Sequence, residues 1–356
     1  MLQITLDMER LRNPYSGLGQ YCWQLGKALA ALPDTGIYFE YLVPPASEAA
    51  FGTAVQTRPI SSLEKWIPIQ TKSALWHCTH QDAAYWPRGN KTPIVMTIHD
   101  LNFLERSDYS GLKKRFKLWQ LQRRVNRCKG LVYISNFVKN WSHKHLNIPP
   151  NTLEKVIYNG NNLPVEVAPT QRTGWSEWAP FLFSIGVHPK KNYAALLPLL
   201  AQLPQHHWVI AGADSKGYRQ LMENQALALG IQERLIFTGP VSEPEKKWLF
   251  EHCEALLFPS LSEGFGLPVI EAMSAGKPVF LSTSTSLPEI GGAEAFYFED
   301  YIAENQYKTY IKGMETYKKD ITKPQRMKTW ASRFDWQQTA KEYLDFYKYT
   351  IPQTTQ

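Results

Sequence analysis

Two glutamates, Glu263 and Glu271, are separated by seven residues that include the turn Gly264-Phe265-Gly266-Leu267-Pro268. Glycine removes side chains where main-chain N–H groups must approach one point. A helix beginning directly after such a turn offers its first amides to an anion. Carboxylates would be repelled by that anion, but they accept from hydroxyls beside it. The pattern therefore reads as a site for a ligand that is both phosphorylated and rich in hydroxyls. Lys190 and Lys191 follow the apolar run Phe181–Gly186 and can supply the full charges a diphosphate needs. His99 closes the apolar run Pro93–Ile98, and Ser135 closes Gly130–Ile134. Strands of a parallel sheet present ligand groups at such ends.

The elements that must hold these residues are legible in outline. Ala255–Phe258 is a short apolar run stopped by Pro259, which predicts a buried strand. Pro268 suits the first helical position and Gly276 with Pro278 ends that helix after about two turns. Leu2–Met8 predicts a first strand, followed by a loop with Gly17 and Gly19 and a helix to about Leu32. This is the order of a phosphate-facing turn, although Cys22 stands where the dinucleotide fingerprint has its third glycine. Further strands are expected at Tyr38–Val43, Ala74–Cys78, Lys155–Gly160, Trp208–Gly212, Leu235–Gly239 and Pro278–Ser282. Residues 44–72 read as loops with one short helix, residues 161–179 as a linker, Tyr193–Leu203 as a helix, and residues 330–349 as a helix with Trp336, Ala340, Tyr343, Leu344 and Tyr347 on its apolar face.

The run from Glu263 through Gly264-Phe265-Gly266-Leu267-Pro268 to Glu271, continuing to Val279, resembles the retaining glycosyltransferases of family 4, which have the GT-B fold. Thr97-Ile98-His99-Asp100-Leu101 and Ser286-Leu287-Pro288-Glu289 look most like mannosyltransferases of bacterial surface polysaccharides. The resemblance implies an α/β chain of two Rossmann-like domains facing across a cleft, with the C-terminal helix crossing back to the first. Residues 1–165 with 335–356 would bind the acceptor, and residues 175–334 the nucleotide sugar. It implies catalytic roles for Glu263, His99 and Lys191. It implies nucleotide-sugar contacts from Gly17, Gly19, Ser135, Gly186, Lys190, Lys191, Gly239, Val241, Gly264, Phe265, Gly266, Leu267 and Glu271. Within that set Glu271 would hold the ribose, and Gly239 to Val241 the base. The Arg that the family often places near Val187 and His188 is absent here, with Lys190 as its substitute. The expected donor is GDP-mannose and the acceptor a hydroxyl of a lipid-linked glycan. A UDP-hexose donor, another GT-B reaction such as phosphorolysis, and a non-catalytic sugar-nucleotide-binding scaffold are the alternatives. Lys190 and Lys191 can take the place of a divalent metal, so neither metal nor cofactor is expected.

Composition sets the remaining bounds. The 356 residues are 44% hydrophobic and 20% charged, a balance that excludes a disordered chain. No apolar run reaches the length of a membrane span, no signal peptide is read at the start, and four scattered cysteines suit a reducing compartment. A cytoplasmic protein is expected. Residues 1–166 carry 20 Lys/Arg against 12 Asp/Glu, whereas residues 167–356 carry 19 against 20, so the net charge of +7 belongs to the first half. Much of it lies in residues 113–129, either a solvated face or a contact for the anionic inner face of the cytoplasmic membrane. Nucleic-acid binding is not expected, because no reading motif accompanies the charge.

Overall fold

The computed structural model describes residues 2–33, 36–52, 55–106, 108–164, 166–214 and 216–352. The chain packs as two compact units, residues 1–160 with 334–356 and residues 161–333. Each is built on one parallel sheet.

The first sheet comprises β1 (Leu2–Asp7), β2 (Ile37–Val43), β3 (Gln56–Pro59), β4 (Leu75–Cys78), β5 (Ile94–Ile98), β6 (Gly130–Tyr133) and β7 (Leu153–Val156). Its spatial order is β3-β2-β1-β4-β5-β6-β7. The second comprises β8 (Phe181–Val187), β9 (His207–Asp214), β10 (Leu235–Gly239), β11 (Ala255–Phe258), β12 (Val279–Ser282) and β13 (Phe296–Phe298), ordered β10-β9-β8-β11-β12-β13. Each order reverses once, between β1 and β4 and between β8 and β11. Open sheets of this kind place ligands outside the carboxyl ends of the strands at that reversal.

The central strands are continuous apolar runs because both faces are covered. All four residues of β11 are buried, as are all five of β5. Helices start where their caps dictate. Ser16 accepts from the Gly19 amide at 3.0 Å to begin Gly17–Ala30. Ser242 and Glu245 form a capping box that begins Glu243–His252. Asp335 accepts from Gln337 and Gln338 to begin Trp336–Thr350. That last helix packs on Gly17–Ala30 and buries Trp336, Ala340, Tyr343, Leu344 and Tyr347 in the first unit's core, the face its periodicity predicts. A Cβ at Gly160 would meet Trp336 at 2.4 Å, so the Asn159-Gly160 corner clears its seat. The cysteines are free and buried.

Two expectations need correction, and one strand had no expectation to meet. Residues 56–59 form an edge strand inside the stretch read as loops, because a proline-containing run can pair at an edge. Phe296–Phe298 is a further edge strand, too short to show a period. Tyr193–Leu203 is not one helix but a 3-10 turn at Tyr193–Leu196 and a short helix at Leu197–Ala201, with Pro198 in the helix's first turn.

Candidate functional site

In the second unit, Lys190 and Lys191 leave β8 and Glu263 follows β11, the two strands that flank the reversal. His188 accepts from the Lys190 amide at 3.1 Å, and Pro189 fixes the single turn that carries both lysines. Gly186 adopts φ +92°, and a Cβ there would sit 3.2 Å from Lys191 Cε. The glycine thus clears the path of the lysine side chain, which passes over the Phe258 ring at 4.3 Å. Lys191 Nζ lies 2.8 Å from Glu263 Oε1, and Lys190 Nζ lies 3.8 Å from Glu263 Oε2. Ser260 donates to Glu263 Oε1 at 2.7 Å, and the Glu263 amide donates to Thr285 Oγ1 at 3.0 Å. The Leu261 amide donates to the Lys190 carbonyl at 2.9 Å and ties the two loops together.

Burial alone would raise the Glu263 pKa. The ammonium groups of Lys191 and Lys190, with hydrogen bonds from Lys191 and Ser260, instead bring it down to about 2. Burial pulls Lys191 below its ordinary value while Glu263 pulls it back. The result is an ionised pair whose side chains are only 13% and 12% exposed.

The glycine turn follows. Gly266 holds φ +113° immediately before the helix Leu267–Ser274, with Pro268 in its first turn. A Cβ at Gly266 would meet Leu287 Cδ2 at 2.9 Å, so close packing adds to the dihedral requirement. Phe265 is buried, and Ser286 Oγ donates to the carbonyls of Glu263 and Phe265 at 2.9 and 2.8 Å. Gly264 bends the chain between them. Glu271 sits inside that helix, 3% exposed, with Lys246 Nζ 3.0 Å from Oε1. Gly239 ends β10 at φ +69°, with open space around its Cβ position, and half-buried Val241 precedes the helix Glu243–His252.

The first unit gathers a different set at β1, β4 and β5. Asp7 ends β1, buried, and accepts from the Glu9 amide at 2.9 Å. Burial pushes its carboxyl up to about 7. His99 follows β5. Its amide donates to Gln81 Oε1 at 3.0 Å, and its ring stands edge-on to Tyr21 and stacks on His80. His99 Nε2 lies 2.8 Å from the Thr79 carbonyl. A carbonyl only accepts, so Nε2 carries the hydrogen. Burial brings the His99 pKa down to about 4 and makes Nδ1 of the neutral ring an acceptor. Ser135 caps the helix Asn136–His145 by accepting from the Val138 amide at 3.2 Å. Gly19 answers a packing demand, since a Cβ there would strike the Asn13 carbonyl oxygen at 2.0 Å. Gly17 is exposed with open space around it.

The structure thus brings Gly186, Lys190, Lys191, Glu263 and Phe265 into one connected cluster, with Glu271 one helix away from Gly239 and Val241. Sequence reasoning missed Ser260, Thr285 and Ser286, which orient the Glu263 loop, and Lys246, which meets Glu271. The hydroxyl run Ser282-Thr283-Ser284-Thr285-Ser286 was the available signal for Thr285 and Ser286. Asp7 was also missed. Its signal was an acid closing an apolar strand ahead of a glycine loop.

Two family models match the chain: Glycosyltransferase Family 4 over residues 15–163, and Glycosyl transferases group 1 over residues 171–333. The O-antigen chain mannosyltransferase B of Escherichia coli is 24% identical over 82% of this chain and 85% of its own length. The O-antigen chain mannosyltransferase RfbU of Salmonella typhimurium is 26% identical over 93% of this chain and 96% of its own. Among solved structures, Anabaena HepE in complex with UDP-glucose superposes with a TM-score of 0.73, at 18% identity, over 98% of this chain and all of that one. Taken with the two switch-point sheets, these matches make the chain a member of the GT-B glycosyltransferases, a family 4 domain followed by a group 1 domain.

Proposed function

We propose that this protein transfers mannose, with retention of configuration, from GDP-mannose to a hydroxyl of a growing lipid-linked surface glycan. The observation that carries the reading is the Lys190–Lys191–Glu263 cluster at the β8/β11 reversal. Two ammonium groups and a helix N-terminus suit a diphosphate. The carboxylate that neutralises them is released to the sugar hydroxyls when the phosphates arrive. The bond from the anomeric carbon to the β-phosphate oxygen breaks, and a bond to the acceptor oxygen forms on the same face. The departing phosphate takes the acceptor proton. Lys190, Lys191 and the turn at residues 264–267 stabilise the charge that grows on that phosphate. Glu263 orients the sugar, and His99 offers it the Nδ1 acceptor. The two lysines supply the charge neutralisation that a divalent ion would otherwise give, so transfer is unaffected by EDTA.

Mannose is favoured because both O-antigen relatives are named mannosyltransferases. The solved neighbour with bound UDP-glucose makes a UDP-hexose the donor to test against it. Thermal shift with GDP-mannose, UDP-glucose, UDP-galactose and UDP-N-acetylglucosamine decides between them. GDP-mannose is expected to give the largest stabilisation. A larger shift with a UDP-sugar reassigns the donor, no shift with any of the four overturns sugar-nucleotide binding, and a shift without transfer leaves the scaffold reading. NMR of the product anomer then tests retention.

A further inference from the structure

Lys246 lies in the first turn of the helix Glu243–His252 and is buried, as are Leu249 and Phe250, which stand three and four residues on and so share its face. A lone ammonium among such neighbours is unfavourable unless it is paired. Its Nζ is 3.0 Å from Glu271 Oε1 and 2.8 Å from Glu243 Oε2. The Lys246 and Glu271 side chains are 9% and 5% exposed, while Glu243 is at the surface. Two well-packed apolar residues in place of the pair are often at least as stable, so packing does not account for Lys246 and Glu271 together. The contact with Lys246 engages Oε1 of Glu271 and leaves Oε2 outside it. Helix Glu243–His252 itself starts just after Gly239 and Val241. Lys246 therefore couples the helix behind that loop to the helix that carries Glu271.

We infer that Lys246 is a positioning residue for nucleotide recognition: it clamps one oxygen of Glu271 so that the other is fixed to accept from the ribose diol of the donor. The inference rests on the ribose role proposed for Glu271 above. Burial would lower the lysine's pKa, but Glu271 and Glu243 outweigh it and raise it, so the clamp is charged at neutral pH. The carboxylate is then held by an element that does not touch the chemistry at Glu263, and loss of the clamp acts on affinity and not on the reacting bond.

The test is calorimetry on the full chain with GDP and UDP, each beside its 2′,3′-dideoxy form. The parent protein should bind the better of the two nucleotides about 10- to 100-fold more tightly than the dideoxy form, the range for losing hydrogen bonds to a charged acceptor. Lys246→Met should bring that ratio close to one, and Lys246→Arg should restore most of it. Turnover at saturating donor should stay near the parent value while KM rises. If Lys246→Met keeps both its fold and the full ratio, the clamp is refuted. If Glu271→Gln keeps the ratio, the ribose role itself fails, a separate result. Should Lys246→Met not fold, the pair Glu271→Gln and Glu271→Gln/Lys246→Met carries the question. Equal affinities in those two support action through Glu271, and a further loss in the double variant overturns it.

Discussion

The strand ends of the two sheets share a topology and differ in charge state. At the second sheet the titratable groups stand as pairs of opposite type in contact: Lys191 with Glu263 at 2.8 Å, Lys246 with Glu271 at 3.0 Å. At the first sheet burial drives the acid and the histidines toward neutrality, with Arg10 3.1 Å from His80 Nδ1. Asp7 is pushed up to about 7, His99 down to about 4 and His77 down to about 3. Beneath them runs an uncharged relay in which Tyr21, Tyr343, Thr97, His77 and Tyr347 are joined by hydrogen bonds of 2.7 to 2.9 Å. The same α/β scaffold can thus host two chemistries. One end gathers fixed charges in contact, and the other gathers an acid and imidazoles that burial disfavours in their charged forms. The loops after the strands, and not the sheets, set that difference.

The largest break in the comparison comes from discharging the second site. Glu263→Ala and Lys191→Ala should each lower turnover by about 10²–10³-fold, the scale of removing one preorganised charge from a transferring phosphoryl or oxyanion centre. Removing one partner of a buried pair also costs about 3–5 kcal/mol of stability, which denaturant unfolding will register. The double variant Lys191→Met/Glu263→Gln should recover stability without recovering turnover. Near-parent activity in either single variant would show that the ionised cluster is structural only. His99→Ala, at the neutral site, should cost less turnover, within about 10²-fold for one hydrogen bond.

The two ends should also respond oppositely to pH. Glu263 has its folded pKa depressed from 4.5 to about 2, so its contribution is present above about pH 4.5 and is lost as pH falls toward 2. Asp7 is raised from 3.8 to about 7, so its contribution is complete below pH 3.8 and is lost as pH climbs through 7. Each group contributes a slope of at most about 1.4 kcal/mol per pH unit inside its window. Urea unfolding between pH 2 and 8 should show the acid slope reduced in Glu263→Gln and the opposing slope above pH 4 reduced in Asp7→Asn. Identical profiles for Asp7→Asn and the parent protein would remove the neutral-site half of the comparison.

Most of the second site was readable because its requirements are local. Gly264, Gly266 and Pro268 announce a turn and a helix start, and the charged residues stand within a few positions of strand ends. Lys246 was not readable, because its partner is 25 residues away on another helix and only packing brings the two together. The neutral site was the harder one for the same reason. Burial of Asp7 and the tautomer of His99 depend on contacts with Thr79, Gln81 and His80 that no local spacing encodes. Ser135 and Gly19 have clear sequence signals, yet in the folded chain capping and packing account for both. The short edge strand Gln56–Pro59 left no periodic trace.

The smallest expected effect concerns where the first half keeps its excess of cations. The helix Gly111–Val125 carries Lys113, Lys114, Arg115, Lys117, Arg123 and Arg124 and no acid. Leu112, Phe116 and Trp119 are 79, 56 and 52% exposed along it, and the latter two rings stack on each other. Arg124 is engaged with Asp82 at 3.1 Å, while Lys113 lies over the Tyr109 ring at 3.8 Å and Arg123 over the Trp119 ring at 4.9 Å. Among the described residues no helix is long and apolar enough to cross a membrane. An interfacial contact of exposed aromatics and cations with anionic headgroups fits this face, at about 1 kcal/mol per cation near the surface. Flotation with vesicles containing phosphatidylglycerol should recover the parent protein at low salt, and phosphatidylcholine vesicles should not. Lys113→Glu/Lys117→Glu should abolish flotation while donor binding stays unchanged. No recovery on either vesicle would instead make this a solvated face, and salt-independent binding or equal recovery on neutral vesicles would assign the contact to the aromatic side chains and not to the cations.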